Sequence, residues 1–199
     1  MDRTTKLFRS EINFIAGAAK VSQIPNLIRP EIAFIGKSNV GKSSLINCLC
    51  NRHGLARVSH TPGRTSQINF FAVGEVFTLV DLPGYGFANV PLRVKEQWNH
   101  LVSTYLTTRV NLKLINLLID ARRGIKPHDE EIAKLLISHK KKFQIIFTKA
   151  DKVSSRAEST LSGQNFLESL GYLCNVIYTS SRSKEGAKEL QYSMAESIK

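Results

Sequence analysis

The chain has 199 residues, 42% of them hydrophobic, with 28 Lys and Arg against 16 Asp and Glu for a formal net charge of +12. That length and composition suit one domain with a sizeable core, and the positive surplus suits a polyanionic partner, RNA above all, or else a solvated surface. Leu114 to Ile119 is too short a run to span a bilayer, and Glu11 and Asn13 interrupt the apolar stretch behind Arg3, Lys6 and Arg9, so neither a membrane span nor a signal peptide is expected and a cytoplasmic protein is.

Residues 1–30 show no clear period and carry Pro25 and Pro30, which reads as a lead-in packed on a domain over 31–199. A strand over 31–35 runs into Gly36-Lys37-Ser38-Asn39-Val40-Gly41-Lys42-Ser43-Ser44, and a helix over 42–52 follows. Strand, G-x-x-x-x-G-K-S and helix in that order is what a phosphate-binding P-loop requires. Gly36 and Gly41 let the backbone wrap an anion, and the amides that follow supply partial positive charge. Lys42 would reach the β- and γ-phosphates of a nucleotide, and the Ser43 hydroxyl would ligate Mg²⁺. The plainer alternative is a glycine turn before an ordinary helix. Cys48 and Cys50 are two apart on that helix and share no face, and with Cys174 they suit a reducing compartment better than a metal site or disulfides.

Asn51 to Ser66 is rich in Arg, His, Ser, Thr, Pro and Gly and reads as a long loop of the kind that is functional or disordered. Gln67–Val73 and Val76–Val80 flank Gly74-Glu75 as a hairpin. Asp81 then ends a strand before Leu82, Pro83 and Gly84. There the Asp could hold a Mg²⁺-bound water and the Gly84 amide could reach a γ-phosphate. Thr65, within Thr61-Pro62-Gly63-Arg64-Thr65, would be a second Mg²⁺ ligand from the loop. A helix over 91–108, a strand over 114–119 and a helix opening at Pro127 follow. The carboxylates Asp129, Glu130 and Glu131 in its first turn read as complements to the helix dipole rather than an acid/base pair. A strand over 144–148, a helix over 156–170, a strand over 175–179 and a helix over 185–198 complete the chain. The alternation predicts an α/β fold, a mostly parallel six-stranded sheet with helices on both faces.

Thr148-Lys149-Ala150-Asp151 closes a strand and is where a base would be chosen. The Asp151 carboxylate offers two acceptors for the N1–H and exocyclic amine of guanine, a pair that adenine lacks, and the Lys149 stem can lie along the base. Alone, the same residues would read as a helix start with Asp151 as cap. Thr179-Ser180-Ser181 ends the last strand, where backbone amides could bind the guanine O6.

These pieces resemble the Ras-type GTPases of the translation-factor class. Pro30 through Asn47, Thr61 through Thr65, Ile68-Asn69-Phe70-Phe71, Val80 through Ala88, Trp98, Asp120-Ala121-Arg122 and Thr148 through Asp151 are similar to the EngB (YihA/YsxC) family of bacterial ribosome-assembly GTPases, over about residues 14 to 190. The resemblance implies a monomeric GTP/GDP-binding protein that requires Mg²⁺ and acts with rRNA in large-subunit assembly, a process linked in the family to cell division and septation. By the same resemblance Lys42, Thr65, Gly84 and Asn39 are the catalytic candidates, with Asn39 at a position that holds K⁺ in related GTPases. Tyr85 stands where Ras-like enzymes carry the Gln that orients water, which implies slow hydrolysis or another catalytic group. Ser66 and Ser181 differ from the family's usual Gln and Ala. Thr148 replaces the Asn that ties the base loop to the P-loop, and the shorter tether suggests weaker nucleotide binding. The rival readings are a P-loop ATPase or kinase and an RNA-binding module tuned by nucleotide.

Overall fold

Continuous apolar runs, rather than alternating ones, are the mark of strands covered on both faces. In the computed structural model mostly apolar runs form β2 (Glu31–Gly36), β4 (Phe77–Asp81) and β6 (Phe143–Thr148), in which every residue is buried. The structure describes residues 7, 8, 10–52, 54–56, 67–86, 92–153 and 157–199, without the side chains of 92 and 157–162. The remaining strands are β1 (Ile12–Ala18), β3 (Ile68–Val73), β5 (Leu112–Asp120) and β7 (Val176–Tyr178). They join in the order β1-β3-β4-β2-β5-β6-β7, with β3 antiparallel to both its neighbours and every other pairing parallel.

Two apolar layers sandwich this sheet. On one face α1 (Lys42–Leu49) and α5 (Ala187–Glu196) bury Leu45, Ile46, Leu49, Leu190 and Met194 against Ile32, Phe34 and Ile146. On the other, α2 (Leu92–Thr108), α3 (Pro127–Ser138) and α4 (Ala157–Ser169) bury Leu101, Tyr105, Leu136 and Leu167 against Ile35, Ile115 and Phe147. Sequential β-strands joined through helices on both faces put the carboxyl ends of β2, β5, β6 and β7 along one edge, where open α/β sheets bind ligands.

Among the described residues the sheet has seven strands, not six. The extra one, β1, comes from the expected lead-in and pairs with β3 from Ile12↔Val73 to Ala18↔Ile68, with a register shift between Phe14 and Ala16. As an edge strand it leaves Phe14 58% and Ile15 38% exposed, so it shows no inside-outside alternation to read. The lead-in is also tied at the far edge of the domain. Glu31, fully buried, accepts from the Tyr105 hydroxyl at 2.8 Å and from Arg109 Nε at 3.0 Å, while Arg109 Nη2 donates to the Pro25 carbonyl at 2.7 Å. Lys141 Nζ caps the same helix end through the Arg109 carbonyl at 2.9 Å. Of the cluster Lys140-Lys141-Lys142, the middle residue therefore serves the fold, and Lys140 and Lys142 are exposed. Among the described residues no helix is long and apolar enough to cross a membrane.

Candidate nucleotide-binding site

The loop from Gly36 to Ser43 joins β2 to α1 and demands glycine at two places. A Cβ on Gly36 would lie 2.8 Å from the Leu118 carbonyl oxygen and 2.9 Å from Val40 Cγ1. Gly41 has φ +105°, in the region where side chains are strained, and the first helical bond of α1 runs from the Leu45 N–H to its carbonyl at 2.9 Å. The preceding first-turn amides are left to face the loop. Asn39 is also left-handed, at φ 63°.

Lys42 and Asp81 meet as a buried ion pair with side chains 9% and 3% exposed. Ser43 follows Lys42 in the first turn of α1. The Ser38 hydroxyl oxygen is shut off from solvent and has no hydrogen-bond partner among the described residues. Free first-turn amides, an ammonium, a carboxylate and two hydroxyls form a donor set that fits phosphates and a Mg²⁺ ion. Lys42 and Asp81, expected to serve phosphate and metal respectively, here neutralise one another. Leu82 is buried, and its N–H donates to the Phe34 carbonyl at 3.0 Å, so β4 carries Asp81 to the same edge as the P-loop. Beyond Pro83, a Cβ on Gly84 would sit 3.0 Å from the Ser38 nitrogen and 3.1 Å from the Gly36 oxygen. Gly63, Arg64 and Thr65, with Ser66, Phe87, Ala88 and the basic residues Arg3, Lys6 and Arg9, lie outside the described residues.

The base-side loops meet the P-loop through two side chains. Thr148 Oγ1 donates to the Val40 carbonyl at 2.6 Å and lies 3.3 Å from that of Ile119, so the shorter residue does reach the P-loop. Lys149, at φ 59°, places Nζ 2.7 Å from the Asn39 carbonyl and 2.9 Å from Asp120 Oδ2, and its stem passes 3.7 Å from where a Gly41 Cβ would be. Burial would raise the Asp120 carboxyl, but hydrogen bonds from Arg122 and Lys149 outweigh it and hold the group well below the usual carboxylate range. Asp151 is exposed, and the Ser180 hydroxyl beside it lowers its carboxyl. Thr179 and Ser180 are buried; the Ala150 N–H donates to the Thr179 carbonyl at 3.1 Å, joining the two base loops. Ser180 Oγ accepts from the amides of Arg182 and Ser183 at 3.2 and 3.1 Å, and half-buried Ser181 lies between.

A cavity of about 350 Å³ opens between the P-loop and the loop after β5, lined among others by Lys37, Asn39, Asp120, Arg123, Lys126 and Lys149. Two of the acids here are given no part in the site by the sequence reading. Asp120 sits in the Asp120-Ala121-Arg122 stretch, but its partner Lys149 is distant in the chain. Asp129, read as a dipole complement, is 5% exposed and accepts from the Tyr85 hydroxyl.

Comparison with known proteins agrees with this geometry. Residues 31–149 match the family model described as 50S ribosome-binding GTPase. The chain is 60% identical over 195 residues to the probable GTP-binding protein EngB of Rickettsia felis, covering 98% of this chain and 92% of that protein. The corresponding protein of Rickettsia prowazekii is 59% identical, over 98% of this chain and 91% of its own length. A crystal structure of a probable GTP-binding protein engB superposes with a TM-score of 0.70 at 24% identity, covering 84% of this chain and 98% of that one. Era in complex with MgGDPNP and a segment of 16S ribosomal RNA shares the fold at a TM-score of 0.69 and 20% identity, over 87% of this chain and 58% of that one.

Proposed function

We propose that this chain, which belongs to the EngB family of GTP-binding proteins, is a slowly hydrolysing GTPase whose nucleotide state governs docking to a large ribosomal subunit during assembly in the cytoplasm. One observation carries the reading: the P-loop, Asp81 and both base loops converge on one sheet edge, with Lys149 and Thr148 bonded to P-loop carbonyls. A phosphate cradle thereby sits at fixed distance from a carboxylate, Asp151, that can accept from guanine.

In this reading the P-loop amides and Lys42 bind the phosphates, while Asp151 and the Ser180–Ser181 backbone select the base. Ser43, Asp81 and Thr65 would hold Mg²⁺, which when bound neutralises charge on the phosphate oxygens. The buried Lys42–Asp81 pair must open for this, so nucleotide and metal entry are coupled. Gly84 packs against the P-loop backbone, and its N–H would meet the γ-phosphate, which makes the segment after β4 sensitive to GTP against GDP. Tyr85 cannot orient water as Gln does. The exposed Asn39 amide would hold K⁺ there, with its backbone carbonyl already committed to Lys149.

Exposed Arg93 and Lys95 in the first turn of α2 change surroundings with that segment, and their charge suits rRNA phosphates. The test is sedimentation of the protein with purified ribosomal subunits in GDP or a non-hydrolysable GTP analogue, paired with single-turnover hydrolysis with and without subunits. Co-sedimentation with the large subunit that depends on the analogue, and hydrolysis of GTP but not ATP, is the expected result. Equal pelleting in both nucleotides would overturn the switch reading. ATP hydrolysis at the GTP rate would overturn the choice of base.

A further inference from the structure

The carboxylates near the start of α3 are not equivalent. Glu131 is exposed with His128 2.9 Å away, and Glu130 lies 3.8 Å from Lys134, both as expected of charges that complement a helix end in water. Asp129, by contrast, is buried, and both its oxygens are used. Oδ2 accepts from the Lys126 N–H at 2.8 Å, and Oδ1 accepts from the Tyr85 hydroxyl. Burial pushes the Asp129 carboxyl up, against the Tyr85 hydroxyl, the Lys126 amide and the nearby charges of Lys37 and His128, which pull it down. A helix dipole alone does not require an acid to be buried at that cost.

The partner explains the burial. Tyr85 follows Gly84, and its backbone extends the sheet pairing onto the P-loop: its N–H donates to the Gly36 carbonyl at 3.1 Å, and its carbonyl accepts from the Ser38 N–H at 3.0 Å. The ring packs against the core layer that holds α2 and α3. A residue anchored at both backbone and hydroxyl fixes its neighbour, and Gly84 lies with its α-carbon side against Ser38 and Gly36.

We propose that Asp129 is a positioning residue for GTP hydrolysis, acting through Tyr85 to fix Gly84 against the P-loop so that its N–H meets the γ-phosphate. This rests on the GTPase reading above. Tyr85 in this arrangement acts through its backbone, and its hydroxyl is committed to Asp129. The connection from β5 to α3 then serves both ends of the site, since Asp120 at the end of β5 holds Lys149 and Asp129 in the first turn of α3 holds the segment after β4.

The test compares Tyr85→Phe, Asp129→Asn and the double variant. Affinities for GDP and a non-hydrolysable GTP analogue are measured with fluorescent nucleotides, and kcat and KM from steady-state turnover. Each single variant should lower the ratio of analogue to GDP affinity by about tenfold, the scale of one charge-assisted hydrogen bond. GDP affinity should stay within about twofold, kcat should fall, and the double variant should be no worse than the poorer single, as groups acting as one unit are. Tyr85→Phe keeps the ring and the Asp129 cap, so it remains informative if Asp129→Asn does not fold. A lowered melting temperature with an unchanged affinity ratio would overturn the proposal and leave a structural tie only. Failure of the wild type itself to prefer guanine nucleotides would instead overturn the GTPase reading.

Discussion

Breaking the buried pair between Lys42 and Asp81 should reveal what the ligand-free protein does with two charges meant for phosphate and metal. Lys42→Met leaves a carboxylate whose residue is 2% exposed without its ammonium. Removing one partner of such a pair costs about 3–5 kcal/mol, because the remaining charge is uncompensated. For a chain of 199 residues, where each kcal/mol moves the midpoint by about 2–4 °C, the nucleotide-free melting temperature should fall by about 6–20 °C. Asp81→Asn should do the same. The double variant, which removes both charges, should recover to within about 1–2 kcal/mol of wild type. Urea titrations of nucleotide-free protein followed by circular dichroism would give the three differences. Added GDP at a hundred times its Kd should stabilise wild type by about 2.7 kcal/mol and Lys42→Met by far less. Single variants as stable as wild type, or a double variant as unstable as the sum of the singles, would refute the reasoning.

Hydrolysis in KCl should exceed that in NaCl at equal ionic strength for wild type, and the difference should vanish in Asn39→Ala; four equal rates would remove K⁺ from the account. Burial pushes Cys50 up to about 12 and Cys174 to about 11, and raises Cys48. At pH 8 the Cys50 thiolate fraction is then about one in ten thousand, so iodoacetamide should label the native protein slowly and all three thiols rapidly in urea, as mass spectrometry would show. Reversing Lys140 and Lys142 to Glu, with Lys141 left to cap α2, should lower the salt slope of subunit binding by about 1.4–1.8, given roughly 0.7–0.9 per phosphate contact. GTP affinity should not change. Binding at the wild-type salt midpoint would remove these lysines from the contact surface.

Local rules carry far in this chain, and they fail where a residue's role depends on a distant partner. Gly41 is legible because its left-handed backbone disfavours a side chain, Gly36 because the G-x-x-x-x-G-K-S spacing names it, and the buried strands β2, β4 and β6 because most of their residues are apolar. The strand β1 is not legible: it has little burial of its own and owes its existence to pairing with β3, 50 to 61 residues along the chain. Lys141 looks like one of three equivalent surface lysines until the carbonyl of Arg109 is placed beside it. Thr148 looks too short for a tether, yet the close approach of β6 to the P-loop lets its hydroxyl reach the Val40 carbonyl. Asp120 and Asp129 are acids of ordinary appearance whose partners, Lys149 and Tyr85, stand 29 and 44 positions away.

The choice of guanine is the claim on which the rest depends, and Asp151 is its sole side-chain reader in this account. Asp151→Asn replaces two acceptors by an acceptor and a donor, which suits the 2-oxo group of xanthine better than the amine of guanine. Competition of GTP and xanthosine triphosphate for the wild-type and variant proteins measures this directly. A shift in relative affinity toward xanthosine triphosphate by about tenfold or more is predicted, because the variant trades a charge-assisted pair for a neutral one. An unaltered preference for GTP in the variant would contradict the assignment of Asp151 and with it the guanine-specific reading of the site.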